Sequence, residues 1–90
     1  MPDLNASPVD PRDIRWEVWD PAYRVYFWRR LGSGGWGSRE FQVSASGVSE
    51  AVGWADLHAN EGETYTLFAV VDRGDGAGIV RLAGQDPTRG

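Results

Sequence analysis

The segment of residues 23–31, YRVYFWRRL, constrains the fold more than any other part of the sequence. It is built of aromatic and aliphatic residues between arginines, a composition typical of a β-strand. In a strand, successive side chains point to opposite faces of the sheet. One face therefore carries a mainly apolar set and the other an aromatic and basic set: Tyr23, Val25, Phe27 and Leu31 on the first, and Arg24, Tyr26, Trp28 and Arg30 on the second.

Four further segments have the composition of strands, and one segment has a helical pattern. The strand segments are residues 15–20, 39–45, 64–72 and 78–84. Within residues 46–60, apolar side chains recur at the spacing that gives an amphipathic helix one apolar stripe: Val48, Ala51, Val52, Ala55 and Ala59. Because this stripe contains only alanine and valine, the helix can lie close to a sheet. The large core side chains must then come from the sheet.

The order of these segments predicts an α+β fold. The order β-β-β-α-β-β, with short connections, favours an antiparallel sheet of four to five strands with one helix packed across one face. A chain of 90 residues forms one domain. We expect residues 1–13, which contain three prolines, to form a flexible N-terminal arm. Residues 14–84 then form the domain, and residues 85–90 form a C-terminal tail.

A glycine-rich segment separates the second and third predicted strands. Its sequence over residues 31–43, LGSGGWGSREFQV, resembles the glycine-rich loop of protein kinases, in which the backbone approaches nucleotide phosphates. A kinase also requires a strand lysine, a catalytic-loop aspartate and an Asp-Phe-Gly triplet. The sequence contains no lysine and neither of the other motifs. We therefore interpret the segment as a hairpin turn in which glycine adopts positive φ, with Trp36 exposed or folded back.

The sequence has few of the groups that catalysis or metal binding requires. It contains no cysteine and one histidine, His58, which excludes thiolate and multi-histidine metal sites. Pairs of acidic residues lie at the predicted ends of elements, where carboxylates normally remain in water: Glu61 with Glu63, and Asp72 with Asp75. The RGD tripeptide of residues 73–75 has the composition of a turn. We predict no enzymatic activity, no metal and no cofactor, and we expect His58 to lie near a helix C-terminus.

Charge and hydropathy indicate the environment of the protein. The net charge of −4 opposes nonspecific binding to nucleic acid or to anionic membranes. The longest apolar run, LFAVV, is far shorter than the roughly 20 residues that a transmembrane helix requires. The N-terminal sequence lacks the basic and apolar regions of a secretory signal. We therefore expect a cytoplasmic protein.

The main functional prediction concerns the aromatic and basic face of residues 23–31. Tryptophan, tyrosine and arginine are enriched at binding hot spots, and exposed apolar patches often mark binding surfaces. We predict a small non-enzymatic protein-interaction module that binds another protein or a second copy of itself. The residues predicted to bind are Arg24, Tyr26, Trp28, Arg30 and Trp36.

Three alternatives concern the same region. Single-stranded nucleic acid could stack on Tyr26 and Trp28, although the acidic net charge opposes this function. A small apolar or aromatic ligand could bind between the sheet and a loop. Finally, the segment that bears Trp16 and Trp19, or the N-terminal arm, could cover the face and make it a second small core.

Overall fold

The computed structural model describes residues 5–14, 21–72 and 74–89. The predicted first strand with Trp16 and Trp19, and Arg73 of the RGD tripeptide, lie outside the described residues. A 3-10 turn at Pro11–Asp13 precedes four strands and one helix. These are β1 (Ala22–Arg30), β2 (Trp36–Ser44), α1 (Val48–His58), β3 (Thr64–Asp72) and β4 (Ala77–Ala83).

The four strands form one antiparallel sheet in the spatial order β2-β1-β3-β4. The long connection between β2 and β3 contains α1, which packs across one face of the sheet. This arrangement confirms the predicted α+β fold with an antiparallel sheet and a single helix. From the second predicted strand onward, the order of elements is also the predicted one, β-β-α-β-β.

The core lies between the helix and the sheet. On β1, the alternate residues Tyr23, Val25 and Phe27 point toward α1 and are buried, as the period of two predicts. Leu67 of β3 lies beside them and is fully buried. The helix contributes two fully buried alanines, Ala51 and Ala55. These small residues allow the close approach expected from the sequence, while the sheet supplies the volume of the core.

The predicted apolar stripe of the helix is only partly buried. Val52 and Ala59 pack against the core as half-buried residues, whereas Val48 at the first helical position is exposed. Trp54, on the margin of the stripe, packs between Phe27 and Phe41 with ring centroids 5.9 Å and 5.5 Å away. One large aromatic residue therefore fills space beside the helix that its alanines leave empty.

The hairpin turn between β1 and β2 owes its shape to glycine. In the connection from β1 to β2, Gly34 and Gly35 have φ of 88° and 77°. The N–H of Leu31 donates to the carbonyl of Gly35, and the N–H of Gly34 donates to the carbonyl of Leu31. The glycine-rich segment thus turns the chain, as predicted.

Within the described part of the chain, no helix is long and apolar enough to cross a membrane.

Candidate functional site

The face of the sheet opposite α1, here called the outer face, carries the predicted binding residues of β1. Residues paired across antiparallel strands lie on the same face, so the register places further side chains there. The neighbours of the β1 residues on this face are Trp36, Ser38, Glu40 and Gln42 from β2, and Thr64, Thr66 and Phe68 from β3. Strand β4 adds Ile79 and Arg81, which pair with Val70 and Phe68.

Trp28 does not contribute an accessible surface to the outer face. Only 7% of this residue is exposed, so the expectation that it belongs to an exposed binding face is wrong. Its indole Nε1–H donates to Oγ1 of Thr66 at 2.9 Å, and Thr66 is completely buried. The Thr66 hydroxyl in turn donates to the carbonyl of Gln85 at 2.8 Å. A buried indole N–H needs an acceptor, and this chain of two hydrogen bonds provides it.

The segment that reaches Thr66 comes from the end of β4 and depends on Gly84. This residue has φ of 80°, a conformation that favours glycine. A β-carbon at position 84 would overlap the carbonyl oxygen of Tyr65 and would lie 3.1 Å from Cα of Thr66. The backbone of residue 84 therefore lies directly against β3. This close approach brings Gln85 onto the outer face, where its carbonyl meets Thr66.

Three aromatic rings form a second, smaller apolar cluster on the outer face. The ring of Tyr26 lies 5.0 Å from that of Phe68 and 6.0 Å from that of Trp28, measured between centroids. Phe68 is buried and Tyr26 is half-buried. Trp28 and Phe68 thus act as core residues on a face that the alternation of β1 alone left open.

The remaining predicted binding residues are accessible and are paired with each other or with neighbours. Arg24 is exposed, and its Nε–H donates to Oε1 of Gln42 at 3.0 Å. The guanidinium of Arg30 lies over the ring of Trp36, 5.4 Å from its centroid. Trp36 is 37% exposed. The structure therefore brings Arg30 and Trp36 together at one end of the outer face, where both are exposed.

A surface that the sequence analysis missed lies along β4, which is an edge strand of the described sheet. Its three large aliphatic residues are all exposed: Ile79 by 42%, Val80 by 53% and Leu82 by 42%. Ile79 lies on the outer face and Val80 on the helix side, where the helix does not cover it. In the sequence, this surface is indicated by the run GIVRLA, which places apolar residues on both faces of the last strand.

The two edges of the described sheet differ in character. Strand β2, at the other edge, has Arg39 and Glu40 at its centre, and Glu40, Phe41 and Gln42 are all exposed. Charged residues in the middle of an edge strand oppose pairing with another strand. Strand β4 has one charged residue, Arg81, and no proline. It is the more suitable of the two edges for adding a strand.

The chain beyond β4 borders a shallow hollow on the outer face. The hollow is lined by Phe68, Ile79, Arg81, Gln85, Asp86 and Arg89. Three of its charged side chains have partners within the chain: Nη1 of Arg81 donates to the carbonyl of Gly84 at 3.2 Å, and Nε of Arg89 lies 3.8 Å from Oδ2 of Asp86. The hydroxyl and backbone N–H of Thr88 both donate to Asp86, which holds the pKa of its carboxyl below the ordinary value.

The charged groups on the helix side stabilise the fold. Arg39 forms an ion pair with Glu63, with Nη2 and Oε1 separated by 2.7 Å, and the Glu63 side chain is 2% exposed. The backbone N–H of Asn60 also donates to this carboxylate. Hydrogen bonding from Arg39 is the main cause that lowers the pKa of Glu63 to about 2. The guanidinium also lies 4.7 Å from the ring centroid of Phe27, so it covers the core.

The single histidine lies in the last turn of α1, as predicted. The ring of His58 stacks on that of Trp54 with centroids 4.4 Å apart, and Nδ1 lies 2.9 Å from the carbonyl oxygen of Trp54. Among the described residues, no group of three or more histidine, cysteine, aspartate and glutamate side chains is placed to hold a metal ion. The contacts of His58 are those of a helix end.

Comparison of the chain with protein-family models, curated proteins and solved structures gave no match. The function must therefore be inferred from the accessible surfaces of this fold. Large apolar side chains of the described residues are exposed at several places, including Leu31, Phe41 and Leu57. Two such surfaces belong to the outer face and its edges: the Arg30–Trp36 pair at the end of the β1–β2 hairpin, and the edge formed by β4. Of these, the β4 edge is the larger, and it also presents one side of the strand backbone.

Proposed function

We propose that the protein is a small non-enzymatic protein-association module and that β4, an edge strand of the described sheet, is its docking element. The observation that carries this proposal is the exposure of Ile79, Val80 and Leu82 on an edge strand of the described sheet. An edge strand presents unpaired N–H and C=O groups, and an added strand can pair with them. Exposed aliphatic side chains on both faces of the strand then supply apolar contact area on each side of the new pair.

The predicted surface of aromatic and basic residues has a reduced role in this proposal. Arg24, Tyr26, Arg30 and Trp36 retain accessible area, but Trp28 belongs to the interior. The nucleic-acid alternative has less support than protein association, because a stacking platform requires exposed ring faces and Trp28 has none to offer. The small-ligand alternative also has little support, since Arg81, Asp86 and Arg89 around the hollow beside β4 already have partners within the chain.

The proposal is tested with one substitution on each edge of the sheet. Ile79→Lys introduces a positive charge on β4, and Gln42→Lys introduces the same charge on the exposed edge strand β2, where it also removes the acceptor of the Arg24 hydrogen bond. Each form is produced in the cells that normally make the protein, and its native size is measured in the extract by sedimentation. We expect the wild type to sediment as a complex larger than the 9.9 kDa chain. Ile79→Lys should remove that complex and Gln42→Lys should retain it.

The outcomes of this experiment separate association through β4 from other possibilities. A wild type that sediments as a single chain would contradict the proposed function. A complex that survives Ile79→Lys and is lost in Gln42→Lys would move the docking element to the β2 edge. Thermal unfolding of both variants checks that neither substitution acts by unfolding the domain, since Ile79 and Gln42 are both exposed.

A further inference from the structure

We infer that the partner of the β4 edge is a second copy of this chain, paired antiparallel with β4 about a twofold axis at Ile79. This inference rests on the proposed function, because it names the occupant of the same edge. The two sheets would join into one continuous sheet with both helices on the same side. Three features of the described residues support self-pairing in this register: an apolar centre, an open space at Gly78 and complementary charge at the ends.

The centre of the pair brings like apolar residues together. With the axis at Ile79, this residue lies opposite its own copy on the outer face, and Val80 lies opposite Gly78 on the helix side. Ile79 and Val80 are 42% and 53% exposed in the single chain, so both have area to bury. Pairs of β-branched residues directly opposite each other stabilise antiparallel strands.

Gly78 leaves the space that this register needs on the helix side. A β-carbon built at Gly78 meets nothing within 4 Å, so the position beside it is open. Across β3, Gly78 pairs with Val71, which is half-buried on the same face. The side chain of Val80 from the second copy could therefore lie over Gly78 and contact Val71. Gly78 of each copy thus leaves space for the Val80 side chain of the other copy.

The charges at the two ends of β4 are complementary in the same register. Arg81 lies opposite Ala77 of the second copy, and Ala77 pairs across β3 with Asp72. Arg81 and the second copy's Asp72 are then two strands apart on the outer face, a separation of roughly 10 Å between backbones. An extended arginine can span this distance over an alanine, and both residues are exposed in the single chain. The twofold axis produces this ion pair twice.

The two registers with the axis at Val80 or at Arg81 lack this complementarity. If the axis lay at Val80, Arg81 would be opposite Ile79 and would approach Val70, which pairs with Ile79 across β3. If it lay at Arg81, the two arginines would face each other, and like charges directly opposite destabilise a strand pair. Of these three registers, the one at Ile79 therefore has the best combination of apolar contact and charge. Because it pairs only about five residues on each strand, we expect an interface at the small, weak end of the usual range.

The test measures the molar mass of the pure 90-residue chain by equilibrium sedimentation over a range of concentrations up to about 1 mM. We expect the wild type to approach twice 9.9 kDa at high concentration. Ile79→Lys should weaken the dimer at least about tenfold, because it places two positive charges opposite each other at the axis. Gln42→Lys, on the opposite edge, should dimerise as the wild type does.

A charge exchange tests the register. Arg81→Glu and Asp72→Arg should each weaken the dimer, and the double variant should restore it toward the wild-type value. Since Asp72 also accepts the N–H of Gly74 within its turn, thermal unfolding is measured for every variant to separate folding from association. If each substitution acted only by destabilising the fold, the double variant would be no more dimeric than the single variants. Recovery of dimerisation in the double variant would therefore indicate a direct contact between the two positions.

The results distinguish this inference from the proposed function. A pure wild type that stays at 9.9 kDa overturns self-pairing. If its complex in the cell extract nevertheless depends on Ile79, the proposed function stands with a different partner. A pure dimer that is unaffected by Ile79→Lys also overturns the inference, since its interface then lies elsewhere. A dimer that Ile79→Lys disrupts but the charge exchange does not restore overturns the assigned register.

Discussion

The indole N–H of Trp28 donates to the hydroxyl of Thr66, and this pair joins β1 to β3 on the face of the sheet that the helix does not cover. The Thr66 hydroxyl in turn donates to the carbonyl of Gln85, which lies beyond the last strand. The sheet therefore has buried side chains on both of its faces. A residue that resembles a binding hot spot in the sequence is a structural residue in the fold.

The first prediction concerns Trp28. Trp28→Phe removes the indole N–H and part of the ring, which leaves a small void and removes a hydrogen bond to the Thr66 hydroxyl. We expect a loss of about 1–3 kcal/mol in the free energy of unfolding, measured by urea denaturation. Trp36→Phe is the matched control, because Trp36 is 37% exposed and its loss should change stability by less than about 1 kcal/mol. Equal stability of Trp28→Phe and the wild type would contradict the structural role.

The second prediction concerns Gly84. Gly84→Ala introduces a β-carbon that overlaps the carbonyl oxygen of Tyr65 and places a non-glycine residue at φ of 80°. We expect destabilisation by at least about 2 kcal/mol, from backbone strain and displacement of the segment that contains Gln85. Tryptophan fluorescence should also change, because the environment of Trp28 depends on that segment.

Gly53→Ala provides the matched control for Gly84→Ala. Gly53 lies inside α1, has no atom within 4 Å of the added β-carbon and does not adopt positive φ. Alanine in a helix is favoured over glycine by about 0.5–1 kcal/mol, so this variant should be more stable than the wild type. If both variants changed stability in the same direction, the close approach at Gly84 would not be the cause of its effect.

The third prediction is a pH dependence that arises from Glu63. Its pKa of about 2 in the folded protein lies below the ordinary carboxyl value of 4.5. A carboxyl with a lowered folded-state pKa stabilises the fold above the unfolded-state pKa, and this stabilisation is lost as pH falls toward the folded-state value. We expect the stability advantage of the wild type over Glu63→Gln to be constant above about pH 5.5 and to shrink between pH 4.5 and 2. Urea denaturation at each pH measures it.

The comparison with Glu63→Gln isolates the ion pair to Arg39. Glutamine preserves the shape of the side chain and can still accept the N–H of Asn60, but it cannot titrate. Other carboxyl groups titrate in both proteins and largely cancel in the difference. A difference in stability that stays constant down to pH 2 would show that the Arg39–Glu63 ion pair does not set the pKa of Glu63.

The fourth prediction concerns Gly78 and depends on the proposed dimer. Gly78→Val fills the open position that the register at Ile79 assigns to Val80 of the second copy. The single chain has space for the new side chain, and valine is favoured in strands, so thermal unfolding should occur at the same or a higher temperature. The dimer should nevertheless weaken by about tenfold in equilibrium sedimentation. A variant that loses stability and association together would not support a direct role of Gly78 in the interface.

Much of the fold followed from local patterns. The alternation in residues 23–31 correctly placed Tyr23, Val25 and Phe27 toward the helix. The glycines of the β1–β2 connection correctly predicted a turn, since their positive φ is a local property of the backbone. The helix lies where its stripe of small residues predicted it. In each case, the deciding interactions involve residues that are close in sequence.

The exposure of the candidate site could not be predicted from local sequence patterns. Alternation gives the face on which Trp28 lies, but not whether another segment approaches that face. That outcome depends on Gly84, 56 positions further along the chain, and on a close backbone approach that has no local pattern. The exposed edge of β4 likewise follows from the order of strands in space, which places the last strand at an edge of the described sheet.

The amino-acid sequence by itself determined the elements, the face on which each side chain of β1 lies, and the turns that glycine permits, because these follow from the geometry of the local backbone. Only the tertiary structure decided which of those faces remain accessible. It buried Trp28 and left Ile79 and Val80 exposed. The physical reason is that burial is a property of the space around a side chain, and distant segments of the chain fill or vacate that space.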